Sequence, residues 1–163
     1  MIELQTEPTM SLVYIGIGSN LGDREELVLR SVHELRSFSR VKKISTLRET
    51  NPVGFRDQPK FLNAVVEIET DYSPRETLSE LLKIEDDLGR ERTFKDAPRT
   101  IDLDLLSYDD QIFEEPDLKI PHPRMHERRF VLEPLAELAP AWIHPTLNQS
   151  ISVLLAKLPK DET

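Results

Sequence analysis

The run Arg99-Thr100-Ile101-Asp102-Leu103-Asp104-Leu105 sets two carboxylates two positions apart among apolar residues. In a β-strand side chains alternate, so Ile101, Leu103 and Leu105 point one way and Asp102 and Asp104 the other. At a rise of ~3.3 Å per residue the two acids start roughly 6.6 Å apart on one face. Their carboxylates can then converge on hard cations, including a pair ~3.5–4 Å apart of the kind used in phosphoryl chemistry. A solvent-facing acidic stripe on an antiparallel sheet has the same pattern, so the neighbours must decide. Arg90, Arg92, Lys95 and Arg99 fall within ten residues, and Arg124, Arg128 and Arg129 within six. These cations either form a solvated face of exposed ion pairs, each worth little, or share a polyphosphate with the acids. In the second case the carboxylates act through Mg²⁺ and the guanidiniums bind directly, in bidentate fashion. His122 lies between Pro121 and Pro123, in a rigid turn that can aim an imidazole donor at phosphate.

The composition narrows the setting. At 163 residues the chain is long enough for one compact domain and too short for two ordinary ones. Cysteine is absent, which removes disulfides, thiolate metal sites and cysteine nucleophiles and suits a cytoplasmic location. The net charge of −9 repels nucleic-acid backbones and anionic membranes, so neither is an expected partner. Residues 1–10 carry acids and no apolar core of a signal peptide, and are expected to be a poorly ordered extension. Residues 11–163 are expected to form a single domain.

The elements that must position the acids follow from periodicity. Residues 12–17 (LVYIGI) are a β-rich run closing on Gly18, and a helical pattern with Val28, Val32 and Leu35 follows Asp23. Residues 41–48 alternate as a second strand, residues 49–60 form a loop, and residues 62–69 read as a third strand. Ser73-Pro74-Arg75-Glu76 is a helix start, with Ser73 as cap, Pro74 in the first turn and Glu76 completing a capping box. Leu78, Leu81, Leu82 and Leu88 make that helix's apolar stripe, and Gly89 is placed to end it. Residues 100–106 are the fourth strand. The expected fold class is therefore α+β, a ferredoxin-like βαββαβ core whose helices cover one sheet face and leave the other for a site. An additional C-terminal edge strand at residues 111–113 and short helices at residues 125–138 and 151–158 complete the expectation.

Four stretches, in order, resemble one family. Lys95-Asp96-Ala97-Pro98-Arg99-Thr100-Ile101-Asp102-Leu103-Asp104-Leu105-Leu106 is similar to the signature segment of the 6-hydroxymethyl-7,8-dihydropterin pyrophosphokinases. Tyr14-Ile15-Gly16-Ile17-Gly18-Ser19-Asn20-Leu21-Gly22-Asp23 resembles that family's first strand and turn. Asp57-Gln58-Pro59-Lys60-Phe61-Leu62-Asn63-Ala64 resembles its pterin-side strand entry. Pro121-His122, followed by Arg128-Arg129-Phe130-Val131-Leu132, resembles its last conserved block. The resemblance implies a folate-pathway enzyme that moves pyrophosphate from ATP to a pterin hydroxymethyl group, giving AMP and the pterin diphosphate. It implies Asp102 and Asp104 as ligands of two Mg²⁺ ions, and Arg90 and Arg92 as catalytic partners meeting charge on the transferred group. By the same resemblance Glu85, Arg92, Arg99, Leu105, His122 and Arg128 bind ATP. The pterin-binding set is Thr50, Asn51, Val53, Phe61, Asn63 and Phe130, with the two phenylalanines stacking on the ring and Asn63 reading its edge. The partners implied are these small molecules, on a monomer.

Three departures from the pattern stand out. Asp96 occupies a position that is tryptophan in familiar members, residues 92–98 are one residue shorter, and Pro123 replaces a common tyrosine. None touches the two acids, so they bear on loop closure and nucleotide affinity. Three rival readings fit less well. A ferredoxin-like RNA-binding or ligand-sensing module would want exposed aromatics and a basic sheet face where this one has Asp102 and Asp104. The glycines of Gly16-x-Gly18-x-x-x-Gly22 are spaced one residue too widely for a dinucleotide fingerprint. His122-x-x-x-His126 lacks the glutamate placement and third ligand of a zinc hydrolase.

Overall fold

The computed structural model describes residues 9–20, 22–51, 59–89 and 101–160. The β-rich run lies in β1 (Ser11–Ser19). Helix α1 (Arg24–Leu35) follows, capped by the Asp23 carboxylate, which accepts from the Glu26 N–H, and buries Val28, Val32 and Leu35. The strand expected over residues 41–48 is instead two, β2 (Arg40–Ile44) and β3 (Arg48–Thr50). Ser45 explains the break. Its Oγ accepts from Val65 N–H at 2.9 Å while its own N–H donates to the Val65 carbonyl at 2.9 Å. A side-chain oxygen thus replaces a ladder carbonyl, and the chain bends before pairing resumes.

The long strand β4 (Phe61–Thr70) leads into α2 (Pro74–Leu88), where the capping box of Ser73 and Glu76 forms and Gly89 is the C-cap. Strand β5 (Asp102–Tyr108) carries the acid pair. Its register against β1 slips between Tyr14 and Ile15, so that Leu105 pairs with Ile15 and Ser107 with Tyr14. The bulge leaves Leu106 extra and turns Tyr108 to the same side as Leu103 and Leu105. The edge strand expected at residues 111–113 is instead a separate hairpin, β6 (Phe113–Glu115) with β7 (Leu118–Ile120). Arg75 of α2 holds that hairpin through Glu115 and Asp117.

The first five strands form one antiparallel sheet in the order β2-β4-β1-β5, with β3 also paired to β4. The architecture is α+β. Helices α1 and α2 cover one face, burying Val13, Ile15, Ile17, Val66, Ile68, Leu103 and Leu105 against Val28, Leu35, Leu81 and Ile84. Burying each such side chain is worth roughly 1.5–3 kcal/mol.

The opposite face is only partly open, a correction to the expectation that it would be left for a site. The helix expected over residues 125–138 is a 3-10 turn (Met125–Glu127) and then α3 (Arg129–Leu138), separated by the extended backbone of Arg128. Helix α4 (Ile151–Ala156) follows two short strands, β8 (Ile143–His144) and β9 (Gln149–Ser150). Met125, Val131, Leu132, Leu135, Ile151 and Leu154 cover Tyr14, Val65 and Leu106. Those three lie on the side of the sheet away from the helix-covered core, and they are large and apolar where Gly16, Gly18, Asp102 and Asp104 are not. No helix of the described residues is long and apolar enough to cross a membrane.

Candidate active site

Alternation along β5 buries Ile101, Leu103 and Leu105 and leaves Asp102 and Asp104 half-exposed, as the spacing predicts. In the ladder with β1, Asp102 stands beside Gly18 and Asp104 beside Gly16. The two acids therefore look across glycines, not across side chains that would crowd them. On the far side of β1, Gly18 pairs with Asn63, and Asn63 pairs with Arg48 of β3. Asp102, Gly18, Asn63 and Arg48 thus form one row across four strands. With strands ~4.8 Å apart, the Asp102 and Asn63 backbones are roughly 10 Å apart.

β5 pairs with β1 on one side only, so its outward N–H groups need other acceptors. Glu85 of α2, buried beneath the strand, accepts from the Leu103 N–H at 2.8 Å. That bond fixes the strand midway between the acids. Glu85, Asp102, Asp104, Leu105 and His122 all line a cavity of about 370 Å³, together with Leu78, Leu82, Lys119 and others. Of the nucleotide residues expected from sequence, Glu85, Leu105 and His122 thus line one cavity and Arg128 does not, and the Leu105 side chain belongs to the buried helix-side core.

His122 follows a cis Ile120–Pro121 peptide. Its N–H donates to the Leu106 carbonyl at 2.9 Å, which hangs the ring beside β5. Its Nδ1 accepts from the Arg124 N–H at 3.3 Å, so the proton of the neutral ring sits on Nε2. Burial pushes the imidazole below its ordinary range. The Asp104 carboxylate opposes that shift, while Arg128 and Arg124 add to it.

On the other side of the row, Thr50 pairs with Phe61, and the Asn63 amide donates through Nδ2 to Thr50 Oγ1. Asn51 is exposed just past β3. Phe130 lies in the first turn of α3, half-buried, with the Arg128 guanidinium 5.5 Å from its ring centroid. Helix α3 is joined to β3 by Arg48, which meets Glu133 and Glu137 at 3.0 Å each. Arg90, Arg92, Arg99 and Val53 lie outside the described residues, as do Asp96 and residues 1–8.

Sequence reasoning missed one contributor. A Cβ on Gly18 would stand 2.9 Å from Asn63 Oδ1, so only glycine leaves that amide its place. The signal was present in the alternation of Gly16 and Gly18 on a strand, where two successive residues of one face lack side chains.

Comparison with known proteins bears on this arrangement. The model of the family described as 7,8-dihydro-6-hydroxymethylpterin-pyrophosphokinase matches residues 14–140. A 2-amino-4-hydroxy-6-hydroxymethyldihydropteridine pyrophosphokinase of Aquifex aeolicus is 42% identical over 142 residues, covering 87% of this chain and 89% of the relative. The Bacillus subtilis protein of the same name is 46% identical over 130 residues, 78% of each chain. The folic acid synthesis protein of Dictyostelium discoideum is 40% identical over 149 residues, and there the match covers 91% of this chain but 23% of the relative. A crystal structure of Plasmodium falciparum HPPK-DHPS with SDX-DHP is similar in fold, with a TM-score of 0.74 at 16% identity. That match covers 93% of this chain and 46% of the other.

Proposed function

The chain belongs to the 7,8-dihydro-6-hydroxymethylpterin-pyrophosphokinase family, and from that premise we propose that it transfers pyrophosphate from MgATP to the hydroxymethyl group of 6-hydroxymethyl-7,8-dihydropterin, in folate biosynthesis. The observation that carries the reading is the row in which Asp102, Gly18 and Asn63 stand side by side across β5, β1 and β4, with Asp102 half-exposed and Asn63 buried. It offers an acid pair for metal-bound phosphates at one end and an amide for a heteroaromatic edge at the other. We read the sheet order and its two helices on one face as a ferredoxin-like βαββαβ core, carried by residues 11–163 as one domain with residues 1–10 as an extension.

The donor set fits Mg²⁺. Among the described residues no third histidine, cysteine or carboxylate gathers with Asp102 and Asp104 into a metal cage. Mg²⁺ is ordinarily held by one or two carboxylates and completes its shell with water and substrate phosphates. When bound, two Mg²⁺ ions would screen the charge between the nucleophilic hydroxyl and the ATP phosphates. In the reaction the pterin hydroxymethyl oxygen attacks the β-phosphorus in line, the α–β bridging bond breaks, AMP leaves, and the hydroxyl proton passes to solvent. Such loose transition states are stabilised by positioning and electrostatics, without a strong general base. Arg90, Arg92, Arg99 and Arg128 supply cations to the phosphates, and His122 Nε2 supplies a neutral donor. Glu85 acts through the Leu103 amide by fixing the strand that bears the acids. Phe61 and Phe130 stack on the ring while Asn63, Thr50, Asn51 and Val53 read its edge. The protein is then a cytoplasmic monomer acting on small molecules, and its charge of −9 disfavours nucleic acid and anionic membranes.

The test is a product assay with hydroxymethyl-dihydropterin and MgATP. AMP and the pterin diphosphate are expected. ADP with a pterin monophosphate, or no pterin-dependent turnover, would overturn the assignment.

A further inference from the structure

Strand β3 has three residues and pairs with β4 at only three positions, ending on Thr50 opposite Phe61. A ladder so short frays readily, because few bonds offset the entropy of ordering it. Yet Thr50 Oγ1 is what receives the Asn63 amide. If β3 leaves β4, that amide loses the partner that fixes its orientation.

Two arginines grip the strand from opposite faces. Arg48 turns toward α3, as described. Glu49 alternates to the other face, where Arg24 in the first turn of α1 donates from Nη2 to Glu49 Oε1 at 2.6 Å. The same guanidinium donates from Nη1 to the Lys60 carbonyl at 2.9 Å. Glu49 precedes Thr50 and Lys60 precedes Phe61, so one side chain joins both strands beside the last pair of their ladder. Both partners reach solvent, with the Arg24 side chain 29% exposed and that of Glu49 53%. The guanidinium bond holds the Glu49 carboxyl below its usual range. An exposed pair of this kind adds little to global stability.

We propose that Arg24 is a positioning residue for the pterin edge: by stapling Glu49 to the Lys60 carbonyl it keeps Thr50 against Asn63. The inference rests on the reading of Asn63 as the pterin-edge amide. Arg24 belongs to neither the ATP-binding nor the pterin-binding set, and its guanidinium is engaged by Glu49 and the Lys60 carbonyl. It acts by holding the Thr50 hydroxyl where the Asn63 amide needs it, while Asp102 and Asp104 are secured separately by β1 and Glu85. Its loss should therefore separate the two substrates. A lysine can reach one acceptor at a time but lacks the planar fork that serves both, so it should rescue in part.

The experiment is steady-state kinetics and thermal melting of Arg24→Ala and Arg24→Lys in the whole protein. For Arg24→Ala the pterin KM should rise about three- to tenfold, with kcat and ATP KM within about twofold and Tm nearly unchanged. Arg24→Lys should fall between. In an Asn63→Ala background, adding Arg24→Ala should have almost no further effect on pterin KM, a coupling that general loosening would not give. Full additivity, equal losses for pterin and ATP, or an unchanged pterin KM would overturn the proposal. The two levels of failure are distinct. A wild-type protein without pterin turnover overturns the functional reading beneath it. A working wild type, impaired by Asn63→Ala but not by Arg24→Ala, overturns the staple alone.

Discussion

The Asn63 amide is held by what is missing beside it as much as by what it bonds. Gly18→Ala would put a methyl 2.9 Å from Asn63 Oδ1, closer than carbon and oxygen tolerate, so the amide must turn or the strand must shift. Losing one oriented polar contact costs about 1–3 kcal/mol, so pterin KM should rise on the order of tenfold with ATP KM little changed. A Gly18→Ala enzyme with wild-type pterin KM would show that the amide is not oriented as the structure has it. The acids give a sharper outcome. Asp102 and Asp104 are half-exposed and lie off the apolar core, so alanine at either should leave Tm within a few degrees and cut kcat with Mg²⁺ by orders of magnitude. Near-normal turnover in either variant would remove that residue from the metal pair. The two cases differ in how readable they were. Asp102 and Asp104 announce themselves through period-two alternation within a single segment. Gly18 matters because of its partner across the ladder, and register between strands 45 residues apart is not written in either strand alone.

Helix α2 shows how local chemistry carries an element. Ser73 Oγ accepts from the Glu76 N–H at 3.1 Å and Glu76 Oε1 from the Ser73 N–H at 3.0 Å, the reciprocal pair that the sequence leads one to expect. Ser73→Ala should destabilise the protein by about 1 kcal/mol. For a chain of this size that corresponds to a Tm lower by about 2–4 °C, measurable by calorimetry. A larger fall would mean that the cap also supports the β6–β7 hairpin through neighbouring Arg75. Elements with such internal signals were legible. Those decided by distant partners were not: β2 and β3 divide because Ser45 reaches Val65 on another strand. In the same way, residues 113–120 pair with one another, not with the sheet edge.

At the scale of the molecule, the α+β class follows from the alternation of strands and helices, whereas the second apolar layer does not. Residues 125–158 look from sequence like short trailing helices, yet they roof one side of the sheet with a core of their own. His144 lies in that layer, 4% exposed, and its Nδ1 accepts from the N–H groups of Thr146 at 3.3 Å and Leu147 at 3.2 Å. Burial lowers its pKa, and neighbouring His126, 6.2 Å away ring to ring, lowers it further. The direction fixes the sign of a pH effect. Because the folded ring resists protonation, stability is fully present above the unfolded value of about 6.5 and declines as pH falls from there toward the folded pKa. Over that interval the unfolded chain binds up to one more proton at this site, a slope of about 1.4 kcal/mol per pH unit at most. His122, also lowered chiefly by burial, adds loss of the same sign. The two are separable with His144→Asn, since an asparagine oxygen can accept from the N–H two residues on without titrating. The single tryptophan, Trp142, packs 6.2 Å from His144 and reports unfolding by fluorescence. Urea midpoints measured from about pH 7.5 to 5 should fall for the natural protein and fall less steeply for His144→Asn. Parallel slopes would show that the acid sensitivity of this layer comes from elsewhere, and a midpoint rising toward pH 5 would reverse the sign given to the buried ring.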